Sequence, residues 1–225
     1  MISFGLITEG LTDQIVIENI LAGYFDNPDL DIRPLQPARD KDDENKFKGY
    51  GSWSQVFAYC CSRDFQEAFQ FNKYIIIQID TDVSEDYEVR QRDENNEFTP
   101  EELIAKVIEK FKEVIGEDFY SKCQDKIIWA ISVNSIECWL LPLYCTGKKK
   151  SKLKNCLGTL NQELVKKHGF TIDANAKNPE YYREISKQYS KHKVLMACYQ
   201  YNPSLKSFVV EIESKKIVIA LEDDW

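Results

Sequence analysis

At 225 residues, with 43% hydrophobic and 29% charged side chains, the chain is long enough to bury a sizeable core as one domain, or one domain with an appendage. Its net charge of −8 argues against a broad nucleic-acid-binding face, which is normally basic, and no stretch approaches the roughly 20 apolar residues of a membrane span. The N-terminus lacks the basic start and small-residue cleavage site of a secretory signal. We therefore expect a cytoplasmic protein with no membrane partner and with its seven cysteines reduced; no CxxC pair or Cys/His spacing suggests zinc.

In chain order, the apolar run over residues 2–8 predicts a buried strand. Residues 11–25 carry Ile17, Ile20, Leu21 and Tyr24 at helical spacing, with Thr12 and Asp13 in the first turn, where a cap and a negative charge are favoured. A short strand is predicted over 31–35, an exposed polar loop over 40–48 and one aromatic-rich helix over 53–69. Residues 73–79 hold four isoleucines and a tyrosine, as expected of a central parallel strand covered on both faces. After an acidic loop, Thr99 caps a helix over 100–115, with Pro100 at its first position and Glu101 and Glu102 in its first turn. A strand over 126–132 and an apolar helix over 135–143 follow. Helices are predicted over 158–167, 179–200 and 203–213, and a last strand over 216–221. The alternation predicts an α/β fold: a doubly wound, mainly parallel sheet over residues 1–144, with a helical C-terminal extension over 145–225 packed on it.

Acidic residues recur where the predicted parallel strands end. Glu9 and Asp13 follow the first strand with Gly10 between them, where a sharp turn of the backbone is expected. Asp80 and Asp82 alternate by two at the end of the isoleucine strand, so both side chains can point the same way. Ser135 and Glu137 follow the strand over 126–132. Open α/β sheets place their sites beyond the carboxyl ends of the strands, so these acids are expected to converge on one cleft. Two unit charges about 4 Å apart repel by roughly 4 kcal/mol at an effective dielectric near 20, so such a cluster needs a proton or a cation to offset it. Oxygen-only ligands favour Mg²⁺, Mn²⁺ or Ca²⁺. For any one of these acids helix capping is a strong explanation, and for Asp13 alone the stronger one; it is the recurrence at three strand ends that points to a metal site.

The order of these motifs, EGLTD after one strand, DTD after a second and SIECW after a third, resembles the Toprim fold, in particular its small stand-alone and OLD-like nuclease branch. The likeness covers residues 1–143, and the later run KHKVLMACYQYNPSLKSFVVEIE is similar in a far less specific way. The resemblance implies a nuclease using one or two Mg²⁺ or Mn²⁺ ions. Glu9, Asp80 and Asp82 would serve the first ion, with Glu9 assisting catalysis, and Asp13 and Glu137 would serve the second. It also implies a downstream lysine on the phosphate, for which Lys187 and Lys191 are both candidates, though each reads more readily as a surface lysine on a helix, and a setting in bacterial defence against phage. The chain has no GxxxxGKS loop, so a separate ATPase chain is an expected partner, with a homodimer as the alternative.

Lys148, Lys149 and Lys150, continued by Lys152 and Lys154, form a dense basic run that can hold a phosphate backbone of DNA or RNA; the same run also reads as a solvated loop. Three other readings compete. Asp80 in DTDVS is close to the nucleophile of haloacid-dehalogenase phosphatases, whose later acidic pair would have to be Asp223 and Asp224. The acids can also serve a non-catalytic module that binds nucleic acid or a partner. His168 and His192 sit in lysine-rich polar helices and read as surface residues rather than general bases.

Overall fold

The computed structural model describes residues 2–39, 52–94 and 96–219. The expected loop over 40–48, residues 220–221 of the expected last strand, and the pair Asp223 and Asp224 lie outside the described residues. The chain forms the expected α/β fold. Strands β1 (Ser3–Ile7), β2 (Asp31–Gln36), β3 (Tyr74–Asp80) and β4 (Ile127–Ser132) make one all-parallel sheet in the order β2-β1-β3-β4. Every residue of β1 and β4 is buried, as near-continuous apolar strands require when helices cover both faces.

Alternation along the strands divides the core in two. Phe4, Leu6, Ile76, Ile128 and Ala130 face one layer, built from α1 (Leu11–Phe25), α6 (Glu137–Tyr144), α7 (Cys156–His168), α8 (Pro179–Ser186), α9 (His192–Cys198) and α10 (Pro203–Ser214). Ile75, Ile77, Ile79, Trp129 and Ile131 face the other, built from α2 (Trp53–Cys60), α3 (Arg63–Phe71), α4 (Pro100–Ile115) and α5 (Glu117–Cys123). The C-terminal helices share the first core with the sheet. Trp139 of α6 stacks on Phe208 of α10 with ring centroids 5.4 Å apart, and its Nε1 donates to Ser204 Oγ at 2.8 Å.

Several expectations need correction. The helix expected over 53–69 is two helices, because the first ends at Cys60 and Ser62 then caps α3 by accepting the Phe65 N–H at 3.2 Å. The helix expected over 179–200 breaks at a 3-10 turn over Lys187–Ser190, which drops Tyr189 into the core, where its hydroxyl donates to the Trp139 carbonyl. Residues 216–219 form no strand, and α5 had no distinct signal in the sequence. By contrast the capping box of α4 is complete: the Thr99 N–H donates to Glu102 Oε2 at 2.8 Å and the Glu102 N–H donates to Thr99 Oγ1 at 3.3 Å.

The cysteines are not all reduced. Cys138 and Cys156 form a disulfide, with Cα atoms 5.0 Å apart, that ties the first turn of α6 to the start of α7. The two residues are 18 apart in sequence, outside any local motif, so only the packing of α7 on α6 brings them together. Cys60, Cys61, Cys123, Cys145 and Cys198 are free thiols.

Helix α1 and the 3-10 turn approach most closely at Gly23, where a Cβ would sit 1.9 Å from the Tyr189 carbonyl oxygen. A backbone atom cannot rotate away, so Gly23→Ala must separate α1 from the C-terminal helices. The expected loss is about 1–3 kcal/mol of stability in urea unfolding; an unchanged midpoint would show that the two elements are not in register there.

Candidate functional site

The strand order places the topological switch point between β1 and β3: from β1 the chain passes to β2 on one side, then returns to β3 on the other. Glu9 follows β1, and Asp80 ends β3, so the two acids stand on either side of that crevice. Their link is direct, since the Asp80 backbone N–H donates to Glu9 Oε1 at 2.7 Å. Asp13, in the first turn of α1, is 4% exposed, Asp80 7% and Glu137, in the first turn of α6, 1%. Asp82 is exposed at the mouth.

The loops that carry these acids are pinned by backbone bonds. The Asn134 carbonyl accepts from the N–H groups of Thr81 and Asp82, each at 3.0 Å, while the Asn134 N–H donates to Thr81 Oγ1 at 2.8 Å. Asn134 takes φ 71°, a left-handed conformation that asparagine tolerates better than most residues. Tyr87 Oη donates to the Asp80 carbonyl at 2.9 Å. Gly10 is in extended backbone, with φ −154°, so no special turn requires a glycine there. What it supplies is room, because a Cβ would lie 3.1 Å from Asp13 Oδ2.

All five carboxylates act on one another electrostatically. Burial is the main cause that pushes Glu9 up to about 8, with the charges of Asp13 and Asp82 adding to it against the Asp80 N–H bond. Burial likewise pushes Asp13 up to about 6, against the pull of Lys177. Burial, then Asp13 and Glu9, hold Asp80 well above the usual carboxylate range, and burial also raises Asp82. Glu137 behaves differently. Burial alone would raise it, but Lys177, Ser135 and Tyr182 together keep it below its ordinary value and so ionised.

The cation among these acids is Lys177, from the loop before α8. Its Nζ lies 2.6 Å from Glu137 Oε1, and the same oxygen accepts the hydroxyl of Tyr182, a fully buried residue of α8. Burial opposes the ammonium charge, but Glu137, Asp13 and Asp80 outweigh it and raise the Lys177 pKa. The sequence reading named Lys191 and Lys187 instead. Both are exposed on the surface around the 3-10 turn, and neither bonds to any of the five acids. Of the other candidates, Lys149 is paired with Glu163 at 3.4 Å, Lys150 lies over the Tyr201 ring at 4.2 Å, and Lys148 is exposed. Lys154 pairs at 2.6 Å with Glu97, which shares a groove of about 380 Å³ with Asp82 and Arg92. Lys177 and Tyr182 carried no signal in the sequence, since nothing in a KNPE or EYYRE stretch points 40 or 45 residues back to Glu137.

The donor set is all oxygen, as hard divalent cations require. Asp13 Oδ1 is buried without a hydrogen-bond partner and so is open to a ligand. Yet among the described residues no three His, Cys, Asp or Glu side chains form a finished cage. The acids therefore suit a divalent cation chemically, while the positive charge drawn among them is that of Lys177. The chain matches no protein-family model, no curated protein and no solved structure. Among the described residues, no helix is long and apolar enough to cross a membrane.

Because Glu9 and Asp13 bind protons more tightly in the folded state than in the unfolded chain, their contribution to stability is fully present near pH 4. It is lost as pH rises through about 6 and then about 8, so without divalent cations the melting temperature is expected to fall from pH 5 to pH 8. Asp13→Asn removes one of these groups without changing its shape. At pH 8 it is expected to be more stable than wild type by on the order of 1–3 kcal/mol, as read by calorimetric melting; a less stable variant would mean that the Asp13 charge is already fully compensated.

Proposed function

We propose that this chain is a divalent-cation-dependent phosphodiester hydrolase of Toprim-like type, acting on DNA or RNA. The observation that carries this reading is the gathering of Glu9, Asp13, Asp80, Asp82 and Glu137 at one switch-point crevice, with Lys177 bonded into the same group. A structural cluster has no need of so many mutually repelling acids, most of them buried and one with an orphaned oxygen.

In this reading Glu9, Asp80 and Asp82 hold a first Mg²⁺ or Mn²⁺, and Asp13 and Glu137 a second. Such ions, when bound, supply Lewis-acid polarisation of a phosphodiester and a nucleophile at neutral pH. The chain's own groups do the rest. Without an ion, burial pushes the Glu9 carboxyl up to about 8, so a cation that takes Glu9 as a ligand displaces its proton, and the freed carboxylate can then assist as a base. Lys177 places a fixed positive charge beside the acids, where charge on a transferring phosphate needs stabilising. Tyr182 fixes the Glu137 carboxylate from behind. Asp82, Gln91 and Arg92 line the groove that opens beside the crevice, and its arginine offers a bidentate contact to a phosphate of the substrate backbone.

A second reading has two observations in its favour. The Lys177–Glu137 ion pair already neutralises part of the cluster, and no finished cage is formed among the described residues. That arrangement suits a non-catalytic module that binds nucleic acid or a partner chain.

The experiment that separates them incubates plasmid, single-stranded DNA and total RNA with wild type, Asp80→Asn and Lys177→Met, in Mg²⁺, Mn²⁺ or EDTA. Cleavage by wild type alone, abolished by EDTA and reduced about 10²–10³-fold in both variants, is the expected result. Binding of nucleic acid without cleavage under any condition supports the second reading. Cleavage that survives EDTA or Asp80→Asn defeats the proposed chemistry.

A further inference from the structure

Gln78 is a polar residue within the isoleucine-rich strand β3. It is fully buried, with Ile77 and Ile79 on either side of it. A buried amide is costly unless both of its ends are bonded, so its presence in an isoleucine strand asks for a cause. Both ends are bonded, and both bonds go to the acidic site. Gln78 Oε1 accepts the Glu9 N–H at 3.1 Å, and Gln78 Nε2 donates to Asp80 Oδ1 at 2.9 Å. The Asp80 N–H then donates to Glu9 Oε1 at 2.7 Å. The three bonds close a ring that spans the switch point from the end of β1 to the end of β3.

We propose that Gln78 is a positioning residue that sets the spacing and rotation of Glu9 and Asp80 so that the pair can take a divalent cation; this rests on the reading of the acids as a cation site. Gln78 and Asp80 stand two residues apart on one face of β3, which puts the amide directly behind the carboxylate. The ring uses one oxygen of Asp80 and one of Glu9, so each carboxylate keeps its other oxygen for a ligand. An amide suits the place because it accepts at one end and donates at the other. A glutamate there would turn a like charge on Asp80, and an aliphatic side chain would leave the Glu9 N–H and Asp80 Oδ1 unpaired in a dry interior.

The test is a calorimetric titration with Mn²⁺ alone on wild type, Gln78→Met and Gln78→Asn, with Asp80→Asn as the non-binding control. It is run at a temperature where circular dichroism shows each protein folded. Gln78→Met keeps the volume and loses both bonds. Gln78→Asn keeps the amide but is one methylene too short to span the two acids, and it carries the test if the methionine variant does not fold. Both are expected to bind Mn²⁺ about 10–100-fold more weakly than wild type, the usual effect of removing a group that orients a ligand. A purely structural role would lower the melting temperature and leave the Mn²⁺ affinity of the folded protein unchanged. Wild-type binding with both variants within about twofold of it overturns the role of Gln78 and leaves the cation site standing. Wild type that binds no Mn²⁺ overturns the cation site, and the role of Gln78 with it.

Discussion

Carboxylates crowded into a crevice between two strands repel each other, and that repulsion shapes much of what surrounds them. An effective dielectric near 20 leaves roughly 4 kcal/mol between two unit charges about 4 Å apart. The fold offsets this in three ways. It raises the proton affinity of Glu9 and Asp80 by burying them, it brings the Lys177 ammonium to Glu137, and it spends donors such as the Asp80 N–H, Gln78 and Tyr182 on carboxylate oxygens. Asp13 Oδ1 is left without a partner.

The sheet and the C-terminal helices contribute to this site in different ways. The strand ends set the places of Glu9, Asp80 and Asp82, because a parallel strand must end and turn at the same edge as its neighbours. The C-terminal helices add the groups that tune them. Lys177 and Tyr182 arrive on the loop and first turn of α8, which packs on α1 through a core that runs from Phe4 to Ile212. The Cys138–Cys156 disulfide fastens α7 one residue from Glu137, so the helical layer is tied covalently beside the acid that Lys177 and Tyr182 hold. Any substrate in the groove beside Asp82 would meet both halves, since Lys154 of the C-terminal half pairs with Glu97 on its rim.

Much of this was legible in the sequence. Five continuous buried residues in β1 and the isoleucine run of β3 announce central parallel strands, and the bounds of α1 and α4 follow from spacing and from the Thr99 cap. The acids at three strand ends could be read as one cluster because a parallel sheet brings all its carboxyl ends to one side. The breaks at Ser62 and at the turn over Lys187–Ser190 were not legible, since a helical pattern of apolar residues continues through both. Gln78 passed as one polar residue in an apolar strand, and its bonds to Glu9 and Asp80 have no trace in spacing.

The sequence by itself determined the four strands of the sheet, their parallel direction, and the presence of five acids just past their ends, because local periodicity and chain connectivity suffice for those; the strand it also suggested over 216–221 does not form over 216–219. Only the tertiary structure decided that Lys177 rather than Lys191 joins them, that Tyr182 and Gln78 orient them, and that Cys138 meets Cys156. These pairings span two to 69 residues of chain and arise from how strands and helices settle against a common core. Packing energy is spread over the whole apolar surface, so no short stretch of sequence records which two polar groups it will bring into contact.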